Sequence, residues 1–260
     1  MKIAASDFDR TLFFSEHYST SGGIAETDLE SIDRWRAAGH QFGIVTGRSY
    51  RMLQHGIKDS SLSLDFAVCL TGATIYNKDG SLLFQDVLNN VSSRELISLP
   101  VVGQSRHIAC LTAYGEYIYV QSELSWFKII DDLPEFTQID LFTAQCLKGI
   151  CQISLQYESE EKAAAAVNEI NKMNLGVHAY RNAQAVDIVN NSVNKAVGLD
   201  NLLAENGWRQ WDVLTIGDGA NDLPMIDMFA GFTLVSADAE IQKHAAKVYS
   251  SVAEMLSDNI

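Results

Sequence analysis

The chain has 260 residues, 47% hydrophobic and 20% charged, with 33 acidic against 19 basic side chains and a formal net charge of -14; that length allows one large domain or two of ordinary size. The acidic balance argues against nucleic acid, whose phosphates are neutralised by Lys and Arg, and no apolar run approaches a membrane span or a secretory signal, so a cytoplasmic protein touching no membrane is expected. The 4 cysteines form no CxxC pair and no zinc spacing, and Cys69 and Cys151 lie in apolar runs as buried free thiols.

The first strand is read at Ile3, Ala4 and Ala5, running into Ser6, Asp7, Phe8, Asp9, Arg10, Thr11 and Leu12. In an extended chain the spacing of Asp7 and Asp9 puts both carboxylates on one face, about 6.6 Å apart. Two like charges so close call for a cation, and magnesium takes carboxylate, carbonyl and water oxygens; the same spacing also serves a solvated turn. Phe13 to Gly23 is polar and glycine-containing and reads as an exposed loop. A helix follows, with Thr27 as cap, Glu30 closing a capping box, Leu29, Ile32 and Trp35 on its buried face, and Gly39 as its stop. Phe42 to Val45 is a buried strand ending in Thr46, Gly47, Arg48 and Ser49, ahead of a helix from Tyr50 to Gly56. Phe66 to Leu70 makes a third strand, and Ile75-Tyr76 with Leu82 to Phe84 a hairpin.

From about Gln85 the pattern changes. Strands are expected at Ile108 to Thr112, Tyr117 to Gln121, Ile150 to Tyr157, Val177 to Tyr180 and Ala185 to Val189, with a helix capped by Ser159. This block reads as a separate α+β domain inserted into the first. His107 and His178 edge apolar runs as packed or surface imidazoles, and Tyr119, Trp126 and Phe127 read as packing residues that could also face a sugar. Strand–helix alternation resumes after Asn190, with a helix from Val193 to Glu205, a strand from Asp212 to Ile216, and the turn Gly217, Asp218, Gly219, Ala220, Asn221, Asp222. A short helix comes next, then a strand from Phe232 to Val235, a helix near Ala239 to Ala246, and Val248-Tyr249. Alternating strands and helices imply an α/β fold with a doubly wound, mostly parallel sheet. The expected division is a core of residues 1–84 and 185–260 around an insert of residues 85–184.

Open parallel sheets bind ligands beyond the carboxyl ends of their strands, and four features fall there: Asp7/Asp9, Thr46-Gly47, Lys195 and Asp218 to Asp222. Thr46 offers a hydroxyl, and Gly47 lets backbone amides approach an anion; both also suit an ordinary strand-to-helix turn. Lys195 near a helix start opposes the dipole, although a solvated lysine would read the same. Asp218, Asn221 and Asp222 offer oxygen ligands around a glycine turn. Together these supply an acidic cluster, a hydroxyl, free amides and one cation, which is what a phosphoryl group needs.

In this combination the chain resembles the haloacid dehalogenase (HAD) superfamily of phosphatases, in the Cof-type and sucrose-phosphatase-like branch with a large α/β cap. The matching segments are DFDRT from Asp7, IVTGRS from Ile44, NKAVGLDNLL from Asn194 and GDGANDLPMI from Gly217. The resemblance implies Asp7 as nucleophile and Asp9 as general acid and base. It implies a phosphate site of Thr46, Gly47 and Lys195. Magnesium would be held by Asp7, the Asp9 carbonyl and Asp218, with Asn221 and Asp222 supporting. It further implies an aspartyl-phosphate, a small phosphorylated metabolite as substrate, and an inserted cap that sets specificity. Asp9 favours a phosphatase or a mutase over an ion pump, where that position is typically Thr. A phosphomutase and a catalytically idle phosphometabolite-binding protein are the competing readings. Arg10, where many relatives have Gly, and Thr71-Gly72-Ala73, in place of Asn-Gly-Ala, depart from the pattern.

Overall fold

β1 (Ile3–Ser6) is the strand from which the first sheet is built outward in both directions. Its four residues are apolar or small and all are buried. On one side it pairs in parallel with β2 (Gln41–Val45), which pairs in parallel with β3 (Phe66–Cys69). On the other it pairs in parallel with β12 (Val213–Gly217), followed by β13 (Phe232–Leu234) and β14 (Lys247–Tyr249). The chain therefore leaves β1 in one direction and returns on the other side. In open parallel sheets ligands bind at such a reversal, here at the carboxyl ends of β1, β2 and β12. β4 (Thr74–Asn77), antiparallel to β3, and β5 (Leu82–Gln85) complete eight strands in the order β14-β13-β12-β1-β2-β3-β4-β5.

The computed structural model describes residues 1–14, 23–130 and 132–260, and these divide into two compact units, Met1–Leu83 with Lys195–Ile260, and Phe84–Asn194. In the first, Trp35, Phe42, Phe8, Leu12 and Met255 belong to one buried cluster. In the second, β6 (His107–Thr112), β7 (Glu116–Val120), β8 (Thr137–Gln138), β9 (Ile150–Gln156), β10 (Val177–Asn182) and β11 (Ala185–Asn190) form a sheet ordered β10-β11-β9-β6-β7-β8. Its core joins Ile108, Cys110, Ile153 and Leu155 to Ala163, Ala166 and Ile170 of the helix Glu160–Lys172. The second unit runs on to Asn194 rather than stopping at Gln184, because β11 bonds to β9 and β10 along its length.

The structure corrects several local expectations. The helix Glu26–Ala37 starts ahead of Thr27, with Ala25 as an N-cap that offers no side-chain bond. Asp28 in its first turn is buried, and its carboxylate accepts from the Ala253 N–H at the start of the distant helix Val252–Asn259. That C-terminal helix is not among the elements the sequence predicts. Leu70 leaves the third strand for a 3-10 turn, Leu70–Gly72. The helix at Ala239 stops at Gln242. Most of the loop expected from Phe13 to Gly23 lies outside the described residues, but its ends are not exposed: Phe13 and Gly23 are both buried. The cysteines are free thiols, with Cys69, Cys110 and Cys151 buried and Cys146 exposed. Among the described residues, no helix is long and apolar enough to cross a membrane.

The helix Lys195–Asn206 reaches the site only because Gly198 lacks a side chain: a Cβ there would lie 2.5 Å from the Gly72 Cα and 2.8 Å from a Val68 methyl. Gly198→Ala would gain about 1 kcal/mol of helix propensity, but contact with rigid backbone outweighs it. A net loss of about 2 kcal/mol is expected from urea unfolding, and a stabilised variant would show that the helix is free to shift.

Candidate active site

Asp7 follows directly on β1, its amide donating to the Ile216 carbonyl at 2.9 Å, so the sheet ladder itself fixes where its side chain emerges. The carboxylate is buried and accepts from the Lys195 ammonium at 2.5 Å and from the Thr11 hydroxyl at 3.3 Å. Lys195 is the first residue of its helix, and no part of its side chain is exposed. Its ammonium bridges Asp7 and Asp222, the latter at 2.6 Å. Burial alone would push the ammonium down, but Asp222 and Asp7 outweigh it and hold Lys195 above its usual range.

Asp222 does two jobs. One oxygen meets Lys195, and the other accepts from the backbone N–H groups of Asp218 at 3.1 Å and Gly219 at 2.9 Å. The turn after β12 is thereby tied to the Lys195 helix. Gly217 permits this, since a Cβ there would come within 2.4 Å of the Asp222 carboxyl carbon. Asn221 is buried, with its Oδ1 lying where a Cβ on Gly219 would come within 2.6 Å. Asp218 accepts from Thr11 at 3.3 Å and faces Arg10, whose Nε lies 3.3 Å from its other oxygen.

Carboxylate oxygens of Asp7, Asp218 and Asp222 lie within 4.8 Å of one another. Burial first, then Asp222, raises the Asp7 carboxyl to about 7 against the pull of Lys195. Burial and then Asp7 raise Asp218 to about 6, opposed by Arg10 and Lys195. Both Asp222 oxygens are engaged by Lys195 and backbone amides, whereas Asp7 Oδ2 and Asp218 Oδ1 both face the Thr11 hydroxyl. These are hard oxygen donors, fitted to a small divalent cation.

Thr46, at the end of β2, is buried; its hydroxyl accepts from the Arg48 N–H at 3.1 Å, and its carbonyl accepts from the Thr71 N–H at 3.0 Å. Gly47 is half-buried beside it. Ser49 caps the helix Tyr50–Ile57 through the Met52 N–H. Asp9 does not join the Lys195 cluster. Its two oxygens accept from the Arg48 guanidinium, Oδ1 from Nη2 at 2.5 Å and Oδ2 from Nε at 2.8 Å. Thr11 and Arg48 lie within the DFDRT and IVTGRS segments, though the sequence alone assigns neither a part. The signals were there: Thr11 stands four residues after Asp7, and Arg48 directly follows the Thr46-Gly47 turn.

The profile of the haloacid dehalogenase-like hydrolases matches residues 4–255. An uncharacterized protein of Mycoplasma capricolum subsp. capricolum is 25% identical over 236 residues, covering 88% of each chain. The pyridoxal phosphate phosphatase YbhA of Escherichia coli is 22% identical over 259 residues, 94% of this chain and 91% of that one. Among solved structures, the HAD subclass IIB sugar phosphatase BT4131 superposes with a TM-score of 0.82 at 16% identity, covering 99% of this chain and 97% of the other. The resemblance and the α/β fold read from the sequence are borne out.

Lys195→Met would leave two buried carboxylates facing each other. In metal-free buffer at about pH 8, a loss of about 3–5 kcal/mol is expected from urea unfolding. At about pH 5 the loss should be smaller, because Asp7 can then take up a proton. An equal loss at both pH values would mean that Lys195 stabilises by packing rather than by charge.

Proposed function

The chain belongs to the haloacid dehalogenase-like hydrolase family, and on that premise we propose that it is a magnesium-dependent phosphatase acting on small phosphomonoesters through an aspartyl-phosphate at Asp7. The observation that carries this is a buried carboxylate at the end of the central strand, in contact with a buried lysine and two residues ahead of a second carboxylate. The substrates named for the relatives, pyridoxal phosphate and sugar phosphates, support a sugar phosphate or a related metabolite here.

In this reading, an Asp7 oxygen attacks phosphorus as the bond from phosphorus to the ester oxygen breaks. The departing oxygen keeps the electron pair and takes a proton from Asp9. Water then attacks the phosphorus of the aspartyl-phosphate, giving its proton to Asp9. The bond from phosphorus to Asp7 breaks, which restores the carboxylate and releases inorganic phosphate. Thr46, the Gly47 amide and Lys195 hold the phosphoryl oxygens, Lys195 offsetting the repulsion between phosphate and carboxylate. Asp7, the Asp9 carbonyl and Asp218 would hold magnesium, with Asn221 and Asp222 in support. Bound magnesium would add positive charge against the anionic phosphoryl group and its attacking carboxylate.

Phosphate release should be measured over a panel of phosphorylated metabolites, with magnesium and then with chelator. Release that needs magnesium but no activating bisphosphate is expected, and silence across the panel would remove the hydrolase assignment. Asp7→Asn should retain the fold by circular dichroism and lose at least about a thousandfold in turnover; substantial residual activity would transfer the nucleophile elsewhere.

Magnesium binding should also depend on pH. Folded-state values raised to about 7 and about 6 mean that the protonated carboxyls of Asp7 and Asp218 favour the metal-free fold at low pH. That contribution is lost as pH rises from about 4 to about 7, while a cation binds the ionised forms. Magnesium should therefore raise the melting temperature more at about pH 8 than at about pH 5.5. A shift independent of pH would place the ion elsewhere.

A further inference from the structure

We propose that Arg48 is the positioning residue for Asp9, holding its carboxyl group in the one orientation from which a proton can reach the ester oxygen; this rests on the acid–base part given to Asp9 above. The pair is two-pronged, with separate bonds from Nη2 and Nε to the two oxygens. A guanidinium fork of this kind fixes the plane of a carboxyl group as well as its distance.

Arg48 is itself held on several sides. Its Cζ lies 4.8 Å from the centre of the Phe8 ring and 5.0 Å from that of Phe13. Those two rings stack on each other at 4.8 Å. Gly56 leaves room for the guanidinium, since a Cβ there would come within 2.8 Å of Nη1. The Arg48 amide is bonded to the Thr46 hydroxyl, and its carbonyl accepts from the Leu70 N–H at 2.9 Å. The side chain that grips Asp9 is thus fixed from the strand end assigned to phosphate binding. Asp9 is only half-buried and has left the strand, so without this grip its side chain would sample several rotamers.

Arg48 exchanges neither proton nor electrons. When Asp9 acts as acid, one oxygen leaves the guanidinium carrying the proton, which passes to the departing ester oxygen, while the other oxygen stays on Arg48 and preserves the orientation. An alkyl phosphate, whose alkoxide is a poor leaving group, needs that proton. An aryl phosphate such as p-nitrophenyl phosphate does not, because its phenolate leaves unprotonated.

The test compares kcat/KM for an alkyl phosphomonoester and for p-nitrophenyl phosphate in wild type, Arg48→Ala, Arg48→Lys, Asp9→Asn and the double variant Asp9→Asn with Arg48→Ala. This constant reports the steps through release of the alcohol and excludes hydrolysis of the aspartyl-phosphate. Arg48→Ala should lower the alkyl-to-aryl ratio by at least about tenfold, a part of the total that a general acid supplies. Arg48→Lys, which keeps the charge but loses the fork, should fall close to it. Asp9→Asn should lower the ratio at least as far, and the double variant no further. Equal losses on both substrates in the Arg48 variants, beside a selective loss in Asp9→Asn, would overturn the inference and leave the acid assignment standing. An unchanged ratio in Asp9→Asn itself would remove Asp9 as the acid and the inference with it.

Discussion

The carboxylates of Asp7 after β1 and of Asp218 and Asp222 in the turn after β12 crowd together, Asp7 and Asp222 buried and Asp218 half-buried, and the Lys195 ammonium between Asp7 and Asp222 offsets their repulsion. A like-charge pair about 4 Å apart costs about 4 kcal/mol at the effective dielectric of a protein. Placing a lysine at the first turn of a helix costs only about 0.3–1 kcal/mol against the dipole. Two charge-assisted hydrogen bonds, each contributing about 1.5–3 kcal/mol, easily exceed that. The unfavourable helix position is therefore a minor cost beside the repulsion it relieves. It also ties three distant parts of the chain, the end of β1, the turn after β12 and the Lys195 helix, to one atom.

The backbone around this cluster is strained at two residues that follow core strands. Arg10 has a φ of 63° and Thr71 a φ of 55°. In this left-handed region an ordinary L-residue loses roughly 1–2 kcal/mol, and a β-branched residue is an outlier. Glycine at position 10 or asparagine at position 71 would adopt it more readily. Here the surroundings enforce the conformation: Thr71 is fully buried with its amide on the Thr46 carbonyl, and Arg10 turns its guanidinium to Asp218. Both follow carboxyl ends of core strands, β1 and β3, so these two strained residues lie on the edge of the sheet that carries the candidate chemistry.

The inserted unit uses its sheet differently. Along β9, Cys151, Ile153 and Leu155 alternate with Gln152, Ser154 and Gln156. Ile153 and Leu155 join the helix-backed core, while Gln152 and Ser154 both donate to Asp187 of β11. His107 is buried against Ser125 and pushed down to about 4 by burial, so at neutral pH it is an uncharged packing group. Phe127 packs edge-on to Phe136 and to His107.

Much of this was legible in the sequence, because period-two and helical patterns, the Ser159 cap and the glycine stops act over a few residues. The strand ends carrying Asp7, Thr46 and Asp218 could be placed from the alternation alone, since a parallel sheet must present its ligand groups there. Thr27 does not cap because the helix already begins at Glu26, with Ala25 in the N-cap position. The edge of the insert at Asn194 could not be read from the chain, because β11 carries the same apolar pattern whichever sheet it joins and only its pairing with β9 decides. The sequence by itself determined which residue types stand at the ends of which strands. Only the tertiary structure decided that Lys195 bridges Asp7 and Asp222 while Asp9 is gripped by Arg48, because the pairing of charges distant in sequence depends on distances that folding alone creates.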